Sequence, residues 1–110
     1  MKNWDLGAFE EVVLMVIGIL GEEAYGVTIR LELEKHTKRR PSIGALHSAL
    51  YRLEDKGYVA SFEAGATAAR GGRRKRYYEI TASGKEALVK AHTMRSGMLE
   101  LIPGLDLGNS

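Results

Sequence analysis

Apolar positions change period several times along the chain, and each change marks an element. From Phe9 to Leu20 the sequence reads FEEVVLMVIGIL, apolar on every side past Glu11. A helix of this kind must be covered all round. Asp5 stands near its start as a candidate N-cap. So short a chain has little mass to wrap one helix. Part of this surface is therefore expected to meet a second copy, through Phe9, Val13 and Val16; burial within a monomer is the alternative. Tyr25 to Lys38 follows as a second helix, with Val27, Ile29, Leu31 and Leu33 as its apolar set and Tyr25-Gly26 at its entry. Pro41 and Ser42 suit the opening of a third. There Ile43, Leu46, Leu50 and Leu53 recur at steps of three and four and predict one apolar stripe. The opposite face carries Gly44, Ser48, Tyr51, Arg52 and Asp55, and Gly57 ends the helix.

Beyond Gly57 the pattern becomes that of strands. Tyr58 to Phe62 reads as one strand and Arg73 to Thr81 as its return, with a loop of small residues, Ala64 to Gly72, between them. Alternation puts Tyr78 and Ile80 on one face, Tyr77 and Glu79 on the other. One of the two tyrosines is expected on the core, and alternation does not say which. Thr81 or Ser83 caps a last helix, in which Ala87, Ala91, Met94, Met98 and Leu101 form a seam like that of a coiled coil, with Leu88 beside it. That seam meets either a partner helix or the chain's own first helix. The outline is mainly α with a small β-hairpin. It predicts a winged helix-turn-helix over residues 1–81, an added C-terminal dimerisation helix over 82–103 packed on it, and a tail over 104–110.

The 110 residues are 45% hydrophobic, enough for one small core. Cysteine is absent, which excludes disulfides and cysteine metal sites and fits a cytoplasmic setting. His36, His47 and His92 have no metal-ligand spacing, so neither metal nor cofactor is expected. Val12 to Leu20 is far shorter than the roughly 20 residues of a membrane span, and no basic segment precedes it as in a signal peptide. Net charge is only +2, but its distribution is uneven. Arg70, Arg73, Arg74, Lys75 and Arg76 crowd the hairpin; Lys38, Arg39 and Arg40 crowd the turn before the third helix. Both clusters flank one helix, which favours nucleic acid over two merely solvated loops. Adjacent carboxylates such as Glu10-Glu11 and Glu22-Glu23 diverge on a helix, and no catalytic constellation or phosphate loop is present.

Candidate contacts to double-stranded DNA follow from this outline. Gly44 and Ala45 let a backbone approach the major-groove wall. Ser42 and Ser48 can bond phosphate or a base edge, Tyr51 either covers the core edge or reaches DNA, and Arg52 can take guanine with two hydrogen bonds. Arg39, Arg40 and the five hairpin cations can meet phosphates or enter a minor groove. For His47 a hydrogen-bonding surface role comes first and DNA contact second.

The set Leu50-Tyr51, Leu53-Glu54, Gly57-Tyr58-Val59, then Gly72, Lys75-Arg76-Tyr77-Tyr78, Ile80-Thr81 and Gly84 resembles the PadR family of transcriptional regulators. The resemblance runs from about Leu6 to Leu101 and is to members with one short C-terminal helix. It implies a homodimeric DNA-binding repressor that acts on a palindromic operator. It also implies a small-molecule effector pocket at the dimer interface, for which Trp4, Phe9 and the Met94–Met98 seam are candidates. The different-class alternative is a winged helix that serves as a protein-interaction module.

Overall fold

The computed structural model describes residues 6–64 and 74–106. Trp4, Asp5, Arg70 and Arg73, named above, lie outside them. Four helices and one hairpin follow in order: α1 (Ala8–Leu20), α2 (Gly26–Thr37), α3 (Ile43–Asp55), β1 (Val59–Ala64), β2 (Lys75–Ile80) and α4 (Ala82–Glu100). A short 3-10 turn, Gly21–Glu23, joins α1 to α2.

The core is built around α1. Val13, Leu14, Val16 and Ile17 are buried against Ile29 and Leu33 of α2 and Leu46, Ala49, Leu50 and Leu53 of α3. Val13 and Val16, expected at a dimer face, are 0% and 2% exposed within this one chain. That expectation is corrected: α2, α3, β2 and α4 together wrap α1 more fully than chain length suggested. Its open apolar side is formed instead by Met15 and Ile19. The third-helix stripe is also corrected at one end, since Ile43 is 58% exposed.

The strands pair antiparallel, Val59 with Ile80 and Phe62 with Tyr77. Tyr78 donates its backbone N–H to the Ala24 carbonyl at 2.8 Å, and Tyr25 bridges Tyr77, so the chain before α2 adds a third edge to the hairpin. Tyr78 and Ile80 pack toward the core. Tyr77 lies on the other face, stacked on Phe62 with ring centroids 5.8 Å apart. No helix among the described residues is long and apolar enough to cross a membrane.

One joint fixes α4 to the rest. Thr81 caps the helix by accepting the Gly84 N–H at 3.0 Å, while its hydroxyl donates to the Gly57 carbonyl at 2.7 Å. Gly84 is buried there, and a Cβ on it would stand 2.3 Å from the Tyr58 carbonyl oxygen. Only glycine allows the first turn of α4 to lie this close to backbone. Farther along, the Arg95 guanidinium pairs with the buried Glu11 of α1. The remainder of α4 extends from the body, and the radius of gyration is 16.3 Å, above the roughly 13 Å of a compact domain of this length.

Gly84→Ala is expected to destabilise the fold by about 3 kcal/mol, the upper end of ordinary overpacking, because a carbonyl cannot rotate out of the way. Gly97→Ala, where a Cβ meets nothing within 4 Å, is expected to stabilise by about 0.5–1 kcal/mol through helix propensity. Urea midpoints of the two variants at matched protein concentration check the contrast.

Candidate nucleic-acid interface

Helix α3 separates two chemistries by its period. Leu46, Ala49, Leu50 and Leu53 face the core, and Gly44, Ser48, Tyr51 and Asp55, at steps of four, three and four, face outward. Tyr51 is 72% exposed. Around Gly44 there is open space, so a flat surface can approach the backbone closely. Ala45 is exposed as well. Ser42 caps the helix, its Oγ accepting the Ala45 N–H at 3.0 Å, which is worth about 1 kcal/mol. The hydroxyl proton of Ser42 remains available to donate outward.

The turn before α3 is fixed by interactions that the sequence pattern does not show. Arg30 Nε donates to the Pro41 carbonyl at 2.8 Å. Thr37 Oγ1 donates to the Leu33 carbonyl at 2.7 Å and accepts the Arg39 N–H at 3.3 Å. Lys38 closes α2 in the left-handed region, φ 64°. Arg39 and Arg40 are thereby held at one flank of α3. Arg40 pairs with Glu34 at 2.8 Å; Arg39 has no ion-pair partner among the described residues.

On the other flank stands the hairpin. Arg74 and Arg76 share Glu63 at 3.7 and 3.6 Å, in exposed pairs that water screens. Lys75 Nζ lies 4.3 Å from the Tyr25 ring centroid. Tyr25 in turn meets Tyr77 edge-on at 5.3 Å. The Lys75 ammonium is thus oriented by an aromatic face and keeps its full charge.

Arg52, half-exposed on α3, makes an ion pair that its spacing did not predict. It turns toward α1, where its Nε meets Glu10 Oε2 at 2.6 Å; Lys56 Nζ meets Glu10 Oε1 at 2.6 Å. Glu10 is 6% exposed and also accepts the Gly7 N–H at 3.3 Å. Burial pushes its carboxyl up, but the hydrogen bonds from Lys56, Arg52 and Gly7 outweigh burial and hold it below the usual carboxylate value. Arg52 therefore ties α3 to the first turn of α1. An acidic residue just before an apolar run was visible in the sequence; its partners, 42 and 46 residues away, were not.

The residues expected at a dimer face divide. Val13 and Val16 are internal. Leu88 packs on the core and Ala91 is half-buried. Phe9 is 36% exposed, and Met94, Met98 and Leu101 are open with Val89, Leu99 and Ile102. Of the effector candidates, Phe9 borders a concavity of about 360 Å³ shared with Val12, Leu33 and Ala45, while Met94 lies on α4. No group of three or more His, Asp or Glu able to hold a metal occurs among the described residues.

Residues 13–90 match the model of the transcriptional regulator PadR-like family. The chain belongs to this family. The structure of H. salinarum RosR is similar to this PadR-like chain, with TM-score 0.68 and 25% identity over 92% of this chain and 84% of that one. The complex structure of hsRosR-S1 gives TM-score 0.67 and 26% identity over 89% and 80%. A PadR family transcription regulator from Clostridium difficile R20291 gives TM-score 0.70 over 86% and 94%, at 21% identity, and speaks to the fold alone. Among curated protein sequences, none matches the chain. The PadR-like family consists of transcriptional regulators, not enzymes, and the hairpin beside α3 is the wing of its DNA-binding winged helix.

Arg52→Ala is expected to cost about 1.5–3 kcal/mol of stability, the range for a hydrogen bond to a charged group, with Lys56 limiting the loss. Glu10 also sets an acid limb. Its folded value lies below its unfolded one, so its contribution is complete above the ordinary carboxylate range and disappears as pH falls through the folded value. Urea titrations between pH 7 and pH 3 should show a weaker acid loss for Glu10→Gln than for the parent.

Proposed function

We propose that this PadR-like chain is a homodimeric, sequence-specific DNA-binding regulator that acts in the cytoplasm as a repressor. One observation carries the proposal. Gly44, Ser48 and Tyr51 give the outward face of α3 no charge of their own, and cations stand on both of its sides, Arg39 and Arg40 at the turn and Lys75 and Arg76 on the wing. Such a surface fits a major groove between two phosphate ridges. Gly44, Ser48 and Tyr51 face the bases, and the flanking cations face the backbone.

The dimer reading is supported by apolar surface left open on one chain: Met15 and Ile19 of α1 with Val89, Met98 and Leu101 of α4. Exposure of this many large apolar side chains on two helices favours a covering partner. Two-fold pairing through α4 gives a palindromic operator with half-sites about one helical turn, ~34–36 Å, apart. A small apolar effector that enters beside Phe9 and Met94 relieves repression by changing how α4 meets the body.

Two measurements test this. Selection from a random duplex library at near-physiological salt should enrich one palindrome. Tyr51→Ala or Ser48→Ala should alter the preferred bases. Lys75→Ala with Arg76→Ala should weaken binding to every sequence alike and reduce the salt slope by about 1 for each phosphate no longer neutralised. Capture of duplex regardless of sequence, or none from a folded dimer, would overturn sequence-specific regulation. Met98→Glu should shift sedimentation toward the monomer.

A further inference from the structure

The first residue of α3 does not do what its place in the apolar stripe implies. Ile43 is 58% exposed. It stands at the leading end of the helix, immediately after the Ser42 cap. Two more aliphatic side chains, Val27 at 62% and Leu31 at 55% exposure, stand next to it on α2. Together with Leu46 they line a shallow concavity of about 260 Å³, bordered by Arg40 and His47. Water in contact with three large aliphatic groups at one spot is unfavourable by the area they expose, so the patch favours an apolar partner.

The position says which partner. Helix residues one, two, five, six and nine of α3 are Ile43, Gly44, His47, Ser48 and Tyr51. They share one continuous side of the helix, and all five are exposed. Ile43 lies at the edge of that side, about 100° round the helix from Gly44 and about 140° from Ser48, so a groove that takes Gly44 and Ser48 at its base edges meets Ile43 at its border. The major-groove edge of DNA is polar except at one group, the C5-methyl of thymine. Arg40 at the border matches the phosphate that flanks such a base.

We infer that Ile43 is a specificity-determining residue that recognises a thymine methyl near the end of each half-site, with Val27 and Leu31 as the apolar shoulder behind it. The inference rests on the DNA-binding reading above and deepens it: it states which base chemistry the leading end of α3 selects. Uracil in DNA lacks that methyl and changes nothing else, so the interaction can be removed from either side.

The operator obtained by selection is synthesised with deoxyuridine in place of each thymidine pair in turn, and binding is measured for the parent and for Ile43→Ala. One symmetric thymine pair should weaken the parent about fifteenfold, the effect of two buried methyls at about fourfold each. At that pair Ile43→Ala should bind the two duplexes equally. Arg76→Ala should bind both more weakly and keep the parent's uracil penalty. Because Ile43 is exposed, its variant should unfold at the parent's urea midpoint, which separates a missing methyl interaction from a failure to fold. A uracil penalty that is identical in parent and Ile43→Ala, or absent at every position, would overturn the assignment while leaving sequence-specific binding intact. Failure of selection to enrich any operator would instead remove the sequence-specific reading on which the inference rests.

Discussion

Two adjacent carboxylates in the first turn of α1 hold the positions of two other helices. Side chains one residue apart on a helix point about 100° apart, so Glu10 and Glu11 cannot serve one partner. Glu10 reaches α3 through Arg52 and Lys56, and Glu11 reaches α4 through Arg95. Both acids are nearly inaccessible to water. A buried carboxylate is costly unless cations come to it, and the N-terminal end of α1 adds a favourable field. The attitude of α3 and that of α4 are therefore both referred to one turn of α1.

The second constraint is a backbone approach. Thr81 bonds both the Gly57 carbonyl and the Gly84 N–H, and Gly84 admits the Tyr58 carbonyl where any side chain would stand. The end of α3, the base of the wing and the start of α4 thus meet within a few residues. Gly57 takes a left-handed φ of 80° to begin β1 there. The start of α4 and the root of the wing are thus held in direct backbone contact, bridged by the Thr81 hydroxyl.

Much of this was legible from the chain. The helix periods, the Ser42 and Thr81 caps and the Gly57 stop are local, and local patterns survive into the fold. The faces of Tyr77 and Tyr78 followed from alternation, although only tertiary packing decides that Tyr78 turns inward while Tyr77 stacks on Phe62. What periodicity could not show was long-range. Ile43 fits the α3 stripe by spacing yet lies past the end of the core. Val13 and Val16 look available on an all-apolar helix until the other elements close over them. Arg52 sits on the polar face of its helix by count, and periodicity could not show its ion-pair partner 42 residues away on α1. The interface cations were readable as composition; their fixing by Pro41, Thr37 and Tyr25 was not.

The engagement of Arg52 with Glu10 has a kinetic side. With that guanidinium held by Glu10 at 2.6 Å, the Gly44, Ser48 and Tyr51 face of α3 carries no cation, and Asp55 at its far end is negative. On the proposed reading, attraction to a polyanion comes chiefly from the flanks, where counterions would be released. Those charges are indifferent to sequence and would shift readily from one phosphate to the next. A neutral face moving along a groove would form no strong bond to a wrong base, so residence time would be decided by fit at that face and speed of search by the charges beside it.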